Sequence, residues 1–122
     1  MQITKEDKNW LVCIDRSDNQ MGMVNMLRNM EKLDADIQEN PIEELILKID
    51  LGQLERANSE LIAQFVMLQS SLVRNNGRLQ LINANYELKS TFDVVMLDKI
   101  INIQYMGQDE NAVDDSDYYE EE

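Results

Sequence analysis

Histidine is absent from the 122-residue sequence, and cysteine and proline occur only once each. Without histidine, Ser-His-Asp and Cys-His catalytic pairs are excluded, and so is one of the usual zinc ligands. The four glycines are isolated along the chain, so it contains no glycine-rich phosphate-binding loop. These absences predict a protein that binds partners and is not an enzyme, with no bound metal or other cofactor.

Basic residues are scarce: 11 Lys and Arg stand against 24 Asp and Glu, which gives a formal net charge of -13. The last sixteen residues, GQDENAVDDSDYYEEE (107–122), hold eight of the acids and no base, which leaves -5 on residues 1–106. Excess negative charge argues against nucleic acid and against anionic membrane surfaces as partners. A protein partner is therefore the expectation.

Long apolar runs are also lacking. No segment approaches the roughly 18 apolar residues of a membrane-spanning helix, and no signal-peptide pattern opens the sequence. The lone Cys13 cannot form an internal disulfide, and we expect a small buried side chain there. A reducing cytoplasm without membrane insertion is therefore the predicted location.

The apolar spacing that is present predicts alternating strands and helices. MQIT (1–4) and WLVCI (10–14) read as two strands around a polar turn at Asp7-Lys8-Asn9, with WLVCI buried on both faces. Apolar residues at three- and four-residue steps predict a helix over 22–39, which Pro41 ends. The later segments are predicted as a buried strand (42–51), a helix (59–73), a strand (78–84) and a helix (86–97). A short helical turn with an edge strand follows (98–106).

The helices predicted at 59–73 and 86–97 each have a row of apolar residues spaced to face the core. The side chains expected to be buried are Leu61, Phe65, Leu68 and Leu72 in the first, and Leu88, Phe92, Val95 and Met96 in the second. Gly77 in NNG (75–77) is suited to a left-handed helix stop.

The predicted fold class is α/β, with the order β-β-α-β-α-β-α-β and a mixed sheet of four to five strands covered by helices. Residues 1–106 form a single predicted domain. Residues 107–122 are predicted to be a disordered acidic tail, because clustered like charge with little apolar content cannot offset its ordering entropy.

Four segments between residues 43 and 103 match a known pattern. They are KIDLGQL (48–54), ANSEL (57–61), NNGRLQLINA (75–84) and FDVVMLDKIINI (92–103). In this order they resemble the STAS family, the sulfate-transporter and anti-sigma-factor-antagonist domain. That family has a strand ending in Asp or Asn between aliphatic residues, Asp-Ser-Ser-Gly opening a helix, a Gly-Gly-x-Leu strand and a last helix ending Gly-Leu-Asp-Lys-aliphatic-aliphatic.

The resemblance places Ser59 at the family's phosphorylated serine. Counting forward from Asp50 and counting back from Gly77 give the same register. The family's Asp-Ser-Ser-Gly is here Asn58-Ser59-Glu60-Leu61, so only one serine of that motif remains.

The resemblance implies an anti-sigma-factor-antagonist-like regulator. Its partner would be an anti-sigma factor or serine kinase, bound through Glu55, Arg56, Asn58, Ser59 and Glu60 and released when Ser59 is phosphorylated. A second copy of the chain, forming a homodimer, is a further candidate partner, and the sequence leaves the oligomeric state open. An alternative is a STAS-like structural subunit of a signalling scaffold or transport complex that does not switch.

From the residues alone, three interpretations of Ser59 stay open. Asn58 or Ser59 serves as the polar cap of the helix, a contribution of about 1 kcal/mol. Ser59 is a modification site at the positive end of the helix dipole. In the third, Glu60 fixes the site permanently in one charge state.

Overall fold

The computed structural model describes residues 1–15 and 23–107. Residues 16–22, which include the predicted first residue of the first helix, and nearly all of the predicted acidic tail lie outside the described residues. The tail and the domain boundary at residue 106 therefore stay predictions.

Five strands, three α-helices and one 3₁₀ turn make up the described chain. In chain order they are β1 (Gln2–Glu6), β2 (Asn9–Cys13), α1 (Val24–Glu39), β3 (Ile46–Asp50), α2 (Ser59–Val73), β4 (Arg78–Ala84), α3 (Tyr86–Val94), the 3₁₀ turn (Leu97–Lys99) and β5 (Asn102–Tyr105). The predicted order of elements is confirmed. The bounds of α2 and β4 agree with the prediction at both ends.

The strands lie in one mixed sheet in the order β1-β2-β3-β4-β5. β1 pairs antiparallel with β2, and the three later pairings are parallel. Each parallel crossover steps to the next strand in the same direction. Because such crossovers are right-handed, α1, α2 and α3 all fall on one face of the sheet.

The core lies between that face and the helices. Side chains that alternate along β2, β3 and β4 point into it, and all are at most 6% exposed: Trp10, Val12, Leu47, Ile49, Leu79 and Leu81. The α2 stripe of Leu61, Phe65, Leu68 and Leu72 packs on them and is buried as predicted.

The other face of the sheet bears no helix in the described chain, which corrects two predictions. β2 is not buried on both faces, because Leu11 and Cys13 are only half-buried. β3 begins at Ile46, not at residue 42, and Lys48 on it is exposed. The apolar runs at 10–14 and 42–51 led to these errors because they contain residues of both faces of the sheet. Only the residues that face the helices are buried in the core.

Two further expectations are wrong near the helix ends. α3 stops at Val94, so Val95 and Met96 are not core residues but are 47% and 63% exposed. The left-handed residue of the α2 stop is Asn76, with φ 63°, and not Gly77. Gly77 is required for a different reason, since a Cβ there would overlap the carbonyl oxygen of Leu45.

A polar contact joins α1 to α2 inside the helical layer. Asp34 on α1 and Ser71 on α2 are each 5% exposed. The Ser71 hydroxyl donates to one Asp34 carboxyl oxygen at 2.7 Å, and Gln38 Nε2 donates to the other at 2.9 Å. The contact therefore fixes the register of the two helices. Among the described residues, no helix is both long and apolar enough to cross a bilayer.

Candidate functional site

The segment between β3 and α2 emerges at the carboxyl edge of the parallel strands, and Asp50 anchors its start. The Asp50 carboxyl accepts hydrogen bonds from Gly52 N at 2.8 Å and from Asn83 Nδ2 at 3.2 Å. Leu51 and Leu54 are at most 1% exposed, and Leu51 N donates to Ile82 O at 2.8 Å. These contacts hold the segment in place and let its far end, residues 55–60, project outward.

Asn58 is the cap of α2. Its backbone is extended, and its side-chain oxygen accepts a hydrogen bond from Leu61 N at 2.8 Å. Ser59 is the first residue inside the helix, its side chain is exposed, and it forms no hydrogen bond with any described residue. Of the two predicted caps, the structure therefore assigns Asn58, and the Ser59 hydroxyl is left without a structural task in the described chain.

The start of α3 repeats this arrangement one strand further along. Asn85 accepts from Leu88 N at 2.8 Å, and its amide donates to Leu54 O at 3.2 Å. Helix α2 begins Asn-Ser-Glu-Leu and α3 begins Asn-Tyr-Glu-Leu. Tyr86 therefore takes the position in α3 that Ser59 takes in α2, and it is 81% exposed.

An ion pair joins the two helix starts. Arg56 Nε lies 3.2 Å from the Glu87 carboxylate, with the side chains 81% and 63% exposed. Pairs this exposed contribute about 0–1 kcal/mol, so Arg56 can exchange Glu87 for another anion at little cost.

All five predicted site residues, Glu55, Arg56, Asn58, Ser59 and Glu60, are exposed on this segment. We call residues 55–60 together with Tyr86 and Glu87 the helix-start corner. It combines an aromatic ring, a guanidinium group, three carboxylates and a free hydroxyl, which suits recognition of a protein surface.

A shallow groove of about 270 Å³ continues from the corner between α1 and α2. Glu60 and Gln64 line it from α2, and Arg28, Glu31 and half-buried Leu27 line it from α1. The Gln64 side-chain oxygen is buried and has no hydrogen-bond donor among the described residues. The groove therefore offers a buried acceptor one helical turn along α2 from Glu60, where a donor from a partner would satisfy it.

A second depression, of about 400 Å³, lies at the strand ends beside Cys13, Asp15, Asp50 and Asn83. Burial raises the pKa of the Cys13 thiol above its usual value, and the nearby Asp50 and Asp15 carboxylates raise it further. The thiol is therefore protonated near pH 7 and is a poor nucleophile. In the described ranges, no three His, Cys, Asp or Glu side chains converge as metal ligands.

Sequence reasoning missed four residues around the site: Arg28, Gln64, Tyr86 and Glu87. The repeated Asn-x-Glu-Leu at 58–61 and 85–88 is a signal that could have found the last two. Arg28 and Gln64 come together only through the packing of α1 on α2, which no local pattern reveals.

No protein-family profile matches this sequence, and no curated protein matches it either. The fold does have solved counterparts. The NMR structure of the Thermotoga maritima protein TM1081 has a TM-score of 0.64 at 15% identity, covering 84% of this chain and 78% of that one. Its crystal structure, described as a candidate anti-sigma factor antagonist, has a TM-score of 0.58 at 13% identity, covering 87% of this chain and 86% of that one. The chain has the STAS fold.

A structure of the stressosome, described as a signal integration and transduction hub, contains a further chain with this fold. Its TM-score is 0.60 at 18% identity, and the match covers 85% of this chain and 87% of that one. The fold that the sequence resemblance implied is thus confirmed. Structural similarity at identities this low establishes the fold alone. The partner and the phosphorylation of Ser59 must therefore be argued from the geometry of the site.

Proposed function

We propose that this protein is a regulatory STAS module that binds a protein partner at the helix-start corner, with binding controlled by phosphorylation of Ser59. The partner is of the anti-sigma-factor or serine-kinase class, as the likeness to a candidate anti-sigma factor antagonist suggests. The module works in the cytoplasm in signal transduction that regulates transcription.

One observation carries this proposal: Ser59 is exposed and is not the helix cap. Asn58 already supplies the capping bond to Leu61 N. A modification of the Ser59 hydroxyl therefore breaks no hydrogen bond of the described structure. A phosphate there can change binding without changing the fold.

The chemistry is a phosphoryl transfer in which the partner kinase moves the γ-phosphoryl group of ATP to Ser59 Oγ, with release of ADP and a proton. The phosphate adds about -1.5 to -2 charge at the amino end of α2, where the helix dipole favours an anion. Glu55 and Glu60 are already exposed on the same corner. A partner carboxylate that pairs with Arg56 would therefore be repelled once Ser59 carries the phosphate.

The test begins with the intact mass and peptide map of protein isolated from its native cytoplasm. We expect a stoichiometric species carrying one phosphate, confined to Ser59. Ser59→Asp should weaken binding to the captured partner, while Ser59→Ala should retain binding and lose its control. Ser70→Asp, at an exposed serine eleven residues beyond Ser59 on α2, is the matched control and should change nothing. If Ser59 stays unmodified while partner binding is regulated, the phosphorylation proposal fails.

A second candidate function is a structural subunit of a larger assembly. The exposed apolar side chains at 94–100 and the likeness to a stressosome chain favour it. In that case Ser59→Asp leaves assembly intact, whereas the regulatory module loses its partner.

A further inference from the structure

An apolar surface lies at the end of α3, away from the helix-start corner. Of ten large apolar residues that are exposed in the described chain, four lie within seven positions: Val94 at 83%, Val95 at 47%, Met96 at 63% and Ile100 at 50%. Single exposed apolar residues are ordinary, but a contiguous group marks an interaction surface. We call these four residues the α3-end patch.

The backbone holds this patch in a fixed shape. Met96 has φ 56°, a left-handed conformation that disfavours a residue with a Cβ. Three successive turn bonds keep it so: Met96 N to Asp93 O at 3.2 Å, Lys99 N to Met96 O at 3.1 Å, and Ile100 N to Leu97 O at 3.0 Å. Leu97 and Ile101 are each 1% exposed and anchor the turn in the core. The patch is therefore preformed and needs little ordering when it binds.

Helix α2 extends the surface on one side. Gln69 Nε2 donates to Ile100 O at 3.0 Å, which joins the middle of α2 to the patch. Val73, one helical turn beyond Gln69, is 53% exposed. Together with the patch, Val73 brings the apolar area to on the order of 400 Å², the size of the largest apolar patch on a typical protein surface, which is often functional.

Two charged residues of opposite sign lie in the turn. Asp98 and Lys99 are adjacent and exposed, and neither lies within ion-pair distance of an opposite charge among the described residues. The pKa of Lys89 is raised by its hydrogen bond to Asp93 and, from further away, by the charge of Asp98. Asp93, by contrast, is already paired with Lys89 at 2.9 Å. A partner surface of one charge sign would neutralise only one of Asp98 and Lys99.

We propose that the α3-end patch binds a second copy of this chain about a two-fold axis. A two-fold interface must be complementary to itself, and an adjacent acid and base meet this condition. Lys99 of each copy faces Asp98 of the other, which gives two reciprocal ion pairs around a shared apolar centre. A standard interface buries about 800 Å² per partner, somewhat over half of it apolar, which matches the area of the patch with Val73.

This inference is independent of the phosphorylation of Ser59. Helix α2 spans 15 residues, about 22 Å, with Ser59 at one end and Val73 at the other. Each copy in the dimer therefore keeps Ser59 free, and the dimer presents two of these serines to partners.

Sedimentation equilibrium of the full chain from micromolar to millimolar concentration tests the proposal. We expect a reversible monomer–dimer equilibrium. Asp98→Lys should weaken it about a hundredfold by placing like charges opposite each other in both pairs. Asp98→Lys combined with Lys99→Asp should restore it, because the exchanged charges pair again across the axis. Met96→Glu should abolish the dimer.

Two matched controls locate the interface. Met67→Glu changes an apolar side chain that is 49% exposed elsewhere on α2, and Lys48→Glu reverses a charge on the open face of the sheet. Both variants should dimerise as the parent does, and so should Ser59→Asp. A parent chain that is monomeric throughout, a control that abolishes the dimer, or a charge exchange that restores nothing overturns the proposal. Because the charge exchange alters only exposed side chains, it decides the matter even if Met96→Glu does not fold.

Discussion

At the scale of single residues, the start of α2 divides two tasks between neighbours. Asn58 satisfies a backbone N–H of the first turn, while the Ser59 hydroxyl contacts no described residue. A residue with no structural task can be modified without loss of stability. The separate cap at Asn58 is thus what makes Ser59 suitable for the proposed modification.

Asn58→Ala should lower the free energy of unfolding by about 1 kcal/mol, because it removes the side-chain acceptor for Leu61 N. Ser59→Ala should change it by less than about 0.5 kcal/mol. Urea denaturation followed by circular dichroism measures both. Asn85→Ala is the matched comparison and should cost more than Asn58→Ala, since Asn85 also donates to Leu54 O. Equal losses for Asn58→Ala and Ser59→Ala would contradict this division of tasks.

At the scale of elements, α1 and α2 are joined by a buried polar contact in an otherwise apolar layer. Ser71→Ala should destabilise the protein by about 1–3 kcal/mol, because it leaves a buried Asp34 oxygen without its 2.7 Å donor. Ser70→Ala, at the exposed neighbour, should stay within about 0.5 kcal/mol. The same denaturation measurement compares the two.

A double-mutant cycle separates the pair from its members. Replacing both partners, with Asp34→Leu and Ser71→Ala, should cost less than the sum of the single changes, since no buried polar group is then left unpaired. Additive losses would show that Asp34 and Ser71 contribute independently of each other.

The elements that the sequence predicted well are those with an unbroken period. Helix α2 and strand β4 have their predicted bounds because polar residues mark both ends of a regular apolar pattern. Val95 and Met96 continue the apolar pattern of α3 but are exposed, because the left-handed turn at Met96 ends the helix first. The apolar period predicts which residues of a helix face the core. It does not predict the residue at which tertiary contacts end the helix.

In the candidate site, too, the residues that are contiguous in sequence could be predicted, and those brought together by the fold could not. Residues 55–60 could be predicted because they are contiguous and match the family register around Ser59. Tyr86 and Glu87 join them only because β4 lies next to β3, which brings the start of α3 beside the start of α2. Which segments lie side by side at the edge of a sheet depends on the strand order, and no local sequence pattern predicts that order.

At the scale of the whole molecule, the monotonic strand order places all three described α-helices on one side of the sheet, with Ser59 and the α3-end patch toward opposite ends of α2. In the proposed dimer, this separation leaves Ser59 of each copy accessible to the proposed partner. Long-range charge acts against such self-association, because the chain carries a formal net charge of -13 and eight of the acids lie in residues 107–122.

Removing residues 107–122 should therefore strengthen dimerisation at low ionic strength, because the net charge falls to -5 and the two copies repel each other less. The gain should shrink toward zero near 1 M salt, where the screening length is about 3 Å. Sedimentation equilibrium of the full and shortened chains at both salt concentrations measures it. A full-length variant with the eight acids changed to Asn or Gln separates charge from length and should behave as the shortened chain does. If removing the segment weakens the dimer, residues 107–122 contribute attractive contacts and charge repulsion is not their main effect on self-association.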